Sequence, residues 1–382
     1  MKRNQSVAFL LAAMISCAAH AAVPAPAYKA QLIPPPGGYA ESRVTNIDGS
    51  TIVGEGRGPN TGGNYHALIW DPTTQSVVDL TPPGFNLSVT SDSWGNSQVG
   101  YVSSATIVGH AALWYGSAES FVDLHRPEYY GTTAHAVWNN FQVGAGRTLA
   151  ELEDRALLWS GSAASAINLH PAGFKHSVAR DVEGNTQVGD GFIYSPEEST
   201  SHALLWRGSA VSAVDLHPAG FSHSIALGLS EDTQVGYGQI NPSGGPTNAL
   251  LWRGAAESVV NLHPAGFFSS YGHGVTGDWQ VGYGRLMDTM GAPGENRALL
   301  WNGTAESVVN LHQYLAGIPM TFTNSFAFAI DANGRILGTA RGSSRDRSYA
   351  ILWTPIPEPS SALLFIVGLA AMRFARTRRR YT

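Results

Sequence analysis

The sequence predicts an all-β protein, a seven-bladed β-propeller of four-stranded blades closed by an N-terminal strand. Three observations carry that prediction. A tryptophan ending an Ala-Leu-Leu-Trp-type stretch returns at Trp70, Trp114, Trp159, Trp206, Trp252, Trp301 and Trp353, at spacings of 44, 45, 47, 46, 49 and 52 residues. A Gln-Val-Gly-type stretch returns with it, centred on Val53, Val99, Val143, Val188, Val235, Val281 and Leu337. A period in the forties, built of several short strands, marks a propeller. The composition agrees: 43 Gly, 21 Pro, 10% aromatic and 13% charged side chains in 382 residues suit short strands and tight turns, whereas a disordered chain has more charge and fewer rings.

Each unit divides into four strands. Residues 224–229 alternate small and apolar side chains and form strand A of the fifth unit; Ser230-Glu231-Asp232 turns the chain, and 233–237 form strand B. Strand C of the preceding unit is 203–206, and its strand D, 214–216, is reached through a turn at Gly208. Branched and aromatic residues fill the strands, with Gly, Asn, Asp and Pro between them. Four strands match one blade. Strand D follows strand C six times, at 77–80, 122–124, 167–169, 214–216, 260–262 and 309–311, but after Trp353 the chain runs directly into Pro355. Residues 30–38, Ala-Gln-Leu-Ile-Pro-Pro-Pro-Gly-Gly, resemble 78–85, Val-Asp-Leu-Thr-Pro-Pro-Gly-Phe. The N-terminal segment therefore supplies the missing outer strand, which pairs both open edges of the ring. An open β-solenoid, the competing architecture, needs neither seven complete sets nor a spare first strand. The propeller occupies 30–354.

The termini carry a different message. Lys2 and Arg3 precede an apolar run, 7–15, and Ala19-His20-Ala21 places small residues at the cleavage positions. Residues 1–21 thus read as a secretory signal peptide, cut after Ala21. A second reading makes 14–17 a lipoprotein box acylated at Cys17. Cys17 is the only cysteine, so cleavage leaves a chain held by packing, without disulfides. Without the two basic residues of the signal and the five arginines of the C-terminal cluster, 16 basic side chains face 28 acidic ones, a balance of −12. Such a body repels phosphate backbones, which excludes nucleic acid as a partner.

At the C-terminus, residues 360–372 form an uncharged run of thirteen, shorter than the ~20 residues that span a bilayer as a helix. Arg373 and Arg376 extend the span by snorkelling, and the arginines stay cytoplasmic. Pro357-Glu358-Pro359, then the apolar run, then Arg378-Arg379-Arg380 resembles the PEP-CTERM sorting signal of Gram-negative bacteria over 355–380. The resemblance implies an exosortase-type sorting enzyme as partner, transient residence in the inner membrane, processing near Pro-Glu-Pro, and delivery to the cell surface or beyond. An ordinary membrane anchor is the alternative. The repeat units also resemble the HAF repeats of bacterial extracellular proteins, on His66-Ala67-Leu68, His202-Ala203-Leu204, Asn248-Ala249-Leu250, Arg297-Ala298-Leu299 and Tyr349-Ala350-Ile351. That likeness implies an exported repeat domain and brings no activity with it.

Residues able to carry chemistry are few. His125, His170, His217, His263 and His312 recur in Leu-His-Pro-Ala-Gly-Phe-type turns, and His176 and His223 follow two of them by six residues. A shared metal needs ligands at about 2.0–2.1 Å, and equivalent positions of adjacent blades lie too far apart, so these rings are expected to bond backbone carbonyls; no metal and no cofactor is expected. Asn46-Ile47-Asp48-Gly49 and Asp331-Ala332-Asn333-Gly334 resemble parts of a calcium loop, but they lack its remaining ligands and read as hairpin turns. Glu151, Glu153 and Asp154 share one variable loop and read as solvated charge. No nucleophile elbow, metalloprotease helix or phosphate loop is present. The expected function is an exported surface or extracellular-matrix binding and structural protein, not an enzyme, with an exopolysaccharide or matrix component as partner. The alternative is a propeller enzyme acting on extracellular polysaccharide. A channel ringed by unequal acids and histidines favours the enzyme, and near-identical blade interiors favour the scaffold. The B–C connections vary while the D–A turns repeat, which makes Tyr194, Tyr237, Arg285 and Met287 the candidate ligand contacts.

Overall fold

The computed structural model describes residues 26–357, apart from residues 50, 72, 73 and 75 and the segments 195–198, 242–244 and 343–347. Seven antiparallel sheets of four strands form a ring, six of them with strands neighbouring in chain order. Blade 1 comprises strand A (Glu41–Asp48), B (Thr51–Arg57), C (His66–Trp70) and D (Val77–Asp79). Blade 7 comprises Asn324–Ile330, Ile336–Arg341 and Ser348–Pro355, and its outer strand is the N-terminal Tyr28–Ile33. The register runs from Tyr28 opposite Pro355 to Ile33 opposite Ala350. The closing strand is set two residues earlier than 30–38, and it stops at Ile33 because Pro34, Pro35 and Pro36 have no N–H to offer a ladder. The signal, its cleavage residues Ala19 and Ala21, Cys17, Glu358, Pro359 and Arg378–Arg380 lie outside the described residues. Among the described residues no helix is long and apolar enough to cross a membrane.

The core lies between blades. Val188, Ala203, Leu205 and Leu216 of blade 4 pack on Ala226, Leu250 and Trp252 of blade 5, and the other blade pairs repeat the pattern. All seven repeat tryptophans are buried. The glutamine of each Gln-Val-Gly unit has a constructive role: Oε1 of Gln98, Gln142, Gln187, Gln234 and Gln280 accepts the N–H of the glycine two residues past the tryptophan, at 2.7–2.9 Å. The Gln-Val-Gly glycine is equally constrained. Strand A of every blade bulges at an equivalent place, with a second bulge in blades 3 and 6, and a Cβ on Gly54, Gly100, Gly144, Gly189, Gly236, Gly282 or Gly338 would lie within 2.0 Å of a strand A carbonyl oxygen.

The histidines of the D–A turns also belong to construction. Oγ of Ser177, Ser224, Ser270 and Ser325, and Oγ1 of Thr132, accept a strand C N–H from the preceding blade at 2.9–3.0 Å. Each hydroxyl also shares a hydrogen bond with Nδ1 of His170, His217, His263, His312 or His125 at 2.8–3.1 Å, and at His217 and His263 it is the hydroxyl that donates. At His217 and His263 the other ring nitrogen donates to the carbonyl of Phe221 and Phe267, as the sequence predicted. The relay requires neutral imidazole. Burial pushes His170 and His312 down to about 4. A histidine harder to protonate folded than unfolded takes up protons on unfolding, so stability complete above about pH 6.5 declines toward pH 4. His170→Gln, whose amide can accept from Ser177 and donate in turn, is expected to flatten the fall of Tm between pH 6.5 and 4 measured by calorimetry.

Candidate functional site: the axial channel

Strand A is the innermost strand of each blade, so its bulge decides what faces the axis. The bulged residues are Thr45, Ser91, His135, Arg180, Leu227, His273 and Phe328. The residues that follow are Asn46, Asp92, Ala136, Asp181, Gly228, Gly274 and Ala329. Together these fourteen line a cavity of about 250 Å³. The outer strands repeat from blade to blade, but these positions do not.

The polar wall belongs to blades 1 to 4. Asp92 accepts the N–H of Val137 in the next blade at 2.9 Å and a hydrogen bond from Nδ2 of Asn46 in the blade before. Asp181 accepts from Val182 N at 2.8 Å and from Leu229 N of blade 5 at 2.7 Å. Nδ1 of His135 donates to the Ala179 carbonyl of blade 4 at 3.0 Å. Where these side chains bridge blades on one side of the ring, Gly228 and Gly274 let the backbones close on the other: a Cβ there would meet the His273 and Phe328 carbonyls at 2.6 and 2.9 Å. Burial pushes Asp92 up to about 6. Burial, then the charge of Asp92, pushes Asp181 up to about 8. Both carboxyls are enclosed by the ring yet keep a half-buried surface toward the lumen. Both carboxyls are thus held above the ordinary carboxylate range, Asp181 the more because the charge of Asp92 adds to its burial. Burial holds His135 below the usual imidazole range and His273 down at about 4.

Toward the face where the D–A and B–C connections emerge, strand A residues pair with strand B partners in the channel mouth. The pairs are Arg43–Glu55, Val89–Tyr101, Thr133–Ala145, Val178–Asp190, Ile225–Tyr237, Tyr271–Tyr283 and Phe326–Thr339. Arg43 is bonded to the buried Glu55 at 3.1 Å, and Arg180 to Asp190. Burial, opposed by Arg43, pushes Glu55 upward. Blades 5 to 7 form an aromatic wall. Tyr271 stacks on Tyr283 with centroids 4.9 Å apart and planes at 25°, and Tyr237 meets Tyr271 edge-on at 5.1 Å. Phe326 meets Tyr283 edge-on at 4.9 Å, and His273 stacks on Tyr283 at 5.4 Å.

Of the four candidate contacts, the structure brings only Tyr237 into this mouth. Tyr194 is 66% exposed at the end of strand B of blade 4, with Lys175 Nζ 5.0 Å from its ring centre. Arg285 and Met287 sit on blade 6, where Arg285 Nε donates to the Gly294 carbonyl at 2.9 Å. The loop acids are held by basic neighbours: Glu151 and Glu153 by Arg155, and Asp154 by Arg147. Asp331 accepts the N–H groups of Asn333 and Arg335 and the Arg335 guanidinium, so it closes a hairpin turn. Among the described residues no cluster of three or more His, Cys, Asp and Glu could hold a metal ion. The unequal lining of the channel was missed in the sequence; the signal available was the variation at one strand A position across the aligned repeats.

No family model matches the chain, and no curated protein matches it. Solved structures do. The β-propeller domain of the Trilobed protease from Pyrococcus furiosus, described as having an open velcro topology, is 9% identical with a TM-score of 0.55, covering 84% of this chain and 97% of its own. An acylaminoacyl peptidase from Pyrococcus horikoshii is 10% identical with a TM-score of 0.52, covering 86% of this chain. A puromycin hydrolase is 10% identical with a TM-score of 0.54, covering 82%. This chain spans about half of those last two, 54% and 52%. Likeness at such identity speaks for the fold alone. The expectation of a surface or matrix binding and structural module is corrected: none of these three similar structures is named as a structural module, and the blade interiors are unequal where they face the axis. The chain has the fold of a seven-bladed propeller, closed here by an N-terminal strand.

Proposed function

We propose that the protein is a propeller enzyme acting on extracellular polysaccharide, with its site in the axial channel. The observation that carries this reading is that Asp92 and Asp181 both line one lumen whose lining differs from blade to blade. Glycoside cleavage uses one carboxylic acid to protonate the leaving oxygen and one carboxylate to activate water or attack carbon. Asp181 fits the proton donor and Asp92 the carboxylate. The export signals read from the termini agree with an extracellular substrate. Incubating the full chain with a panel of polysaccharides is expected to release reducing ends, with a bell-shaped pH profile whose limbs both lie above the ordinary carboxylate range, because both carboxyls are raised. Asp181→Asn and Asp92→Asn are each expected to lower the rate about 100-fold or more, with melting curves recorded beside each assay. No release from any polysaccharide, or release unchanged in both variants, contradicts the proposal, and peptide hydrolysis in its place replaces the substrate class.

A further inference from the structure

The rings on blades 5 to 7 are not core residues. Tyr237, Tyr271, Tyr283, Phe326 and Phe328 are half-buried, and none belongs to the seven clusters of buried apolar side chains formed by the described residues. They touch one another, Phe328 and the stacked His273 also line the lumen, and the facing blades offer Val89, Thr133, Ala145 and Val178, with Tyr101 and Asp190 beside them, at the same height. Rings that join blade 5 to blade 6 through Tyr237 and Tyr271, and blade 6 to blade 7 through Tyr283 and Phe326, and that stay only half-buried, offer an aromatic surface for recognition.

We infer that this wall is a stacking subsite for an uncharged glycan chain entering the lumen from the D–A and B–C face. The inference rests on the polysaccharide reading above and names how that substrate is held. Sugar rings present flat C–H faces to aromatic rings, and Tyr271 with Tyr283 forms a stacked pair of the right kind. Two charged pairs of the mouth are internally compensated, Arg43 by Glu55 and Arg180 by Asp190, while the Arg341 guanidinium lies 5.5 Å from the centre of the Phe326 ring. Planar guanidinium and carboxylate groups suit vicinal hydroxyls, and a mouth of mostly paired charge on an acidic body gathers polyanions poorly. A peptide adding as a strand would need free backbone groups along the inner edge. The N–H of Val137 and of Leu229 and the carbonyl of Ala179 are already taken by Asp92, Asp181 and His135.

Calorimetric titration of the full chain tests this. The probes are three neutral hexasaccharides (β-1,4-glucose, β-1,3-glucose and β-1,4-mannose), a galacturonic acid hexamer and a proline-rich decapeptide. At least one neutral hexasaccharide is expected to bind more tightly than the uronate or the peptide. Tyr283→Ala is expected to weaken it at least tenfold, Tyr283→Phe less than threefold, and Tyr115→Ala, on the C–D turn of the opposite face, not at all. Tyr271→Ala replaces Tyr283→Ala if the latter does not melt like the parent. Unchanged binding in the alanine variant, tighter binding of uronate or peptide, or no neutral binding overturns the subsite. Binding without release of reducing ends keeps the subsite and removes the enzyme; release that ignores Tyr283 does the reverse.

Discussion

Removing residues 26–33 is expected to lower the melting temperature of the ring by on the order of 10 °C and to make it aggregate. Strand Tyr28–Ile33 supplies a six-residue ladder to Ser348–Pro355, buries Tyr28 and Ile33, and Tyr28 donates its hydroxyl to the Gly334 carbonyl at 3.1 Å. Its loss exposes the strand Ser348–Pro355 as an open edge and removes two buried side chains, each contributing roughly 1.5–3 kcal/mol. Differential scanning calorimetry of the truncated chain, with and without a synthetic peptide of residues 26–33, is the check. Recovery of the original transition on adding the peptide is the expected result. An unchanged transition without it contradicts closure by this strand.

Gly236→Ala is expected to destabilise by roughly 3 kcal/mol or more. A methyl at Gly236 would lie 2.0 Å from the Ile225 carbonyl oxygen, and strand B, laddered to strand A on one side and strand C on the other, cannot retreat. Gly220→Ala separates this steric cause from the ordinary cost of a left-handed residue. Gly220 has φ of 85° with nothing within 4 Å of its would-be Cβ, so that variant costs about 1–2 kcal/mol. Urea denaturation of both variants measures the difference; equal losses would mean that the bulge does not select glycine.

The same bulge explains what could be read in the sequence and what could not. The period, the four strands per unit and the closing strand were legible because tryptophans, Gln-Val-Gly stretches and Leu-His-Pro-Ala-Gly-Phe turns are outer-strand and turn features that every blade needs. The site was not. A bulge turns two consecutive residues, such as His135-Ala136 or Arg180-Asp181, toward the axis, so the two-residue alternation used to assign strand faces fails there. The groups that meet in the lumen also come from different blades, Asp92 and Asp181 among them. Tyr237 was singled out as a loop contact, whereas its importance comes from Tyr271, on the next blade. The Ser224–His217 relay was hidden in the same way, because the amide completing it, Ala203 N, belongs to the preceding blade.

The proposed site is the unequal channel and not the variable loops. A crystal structure of the full chain with the tightest-binding neutral hexasaccharide tests it most directly. Sugar rings are expected to lie along Tyr271 and Tyr283, with the chain directed down the lumen toward Asp92 and Asp181. Sugar bound instead at the blade 4 and blade 6 loops, beside Tyr194 or beside Arg285 and Met287, with an empty channel, would contradict it.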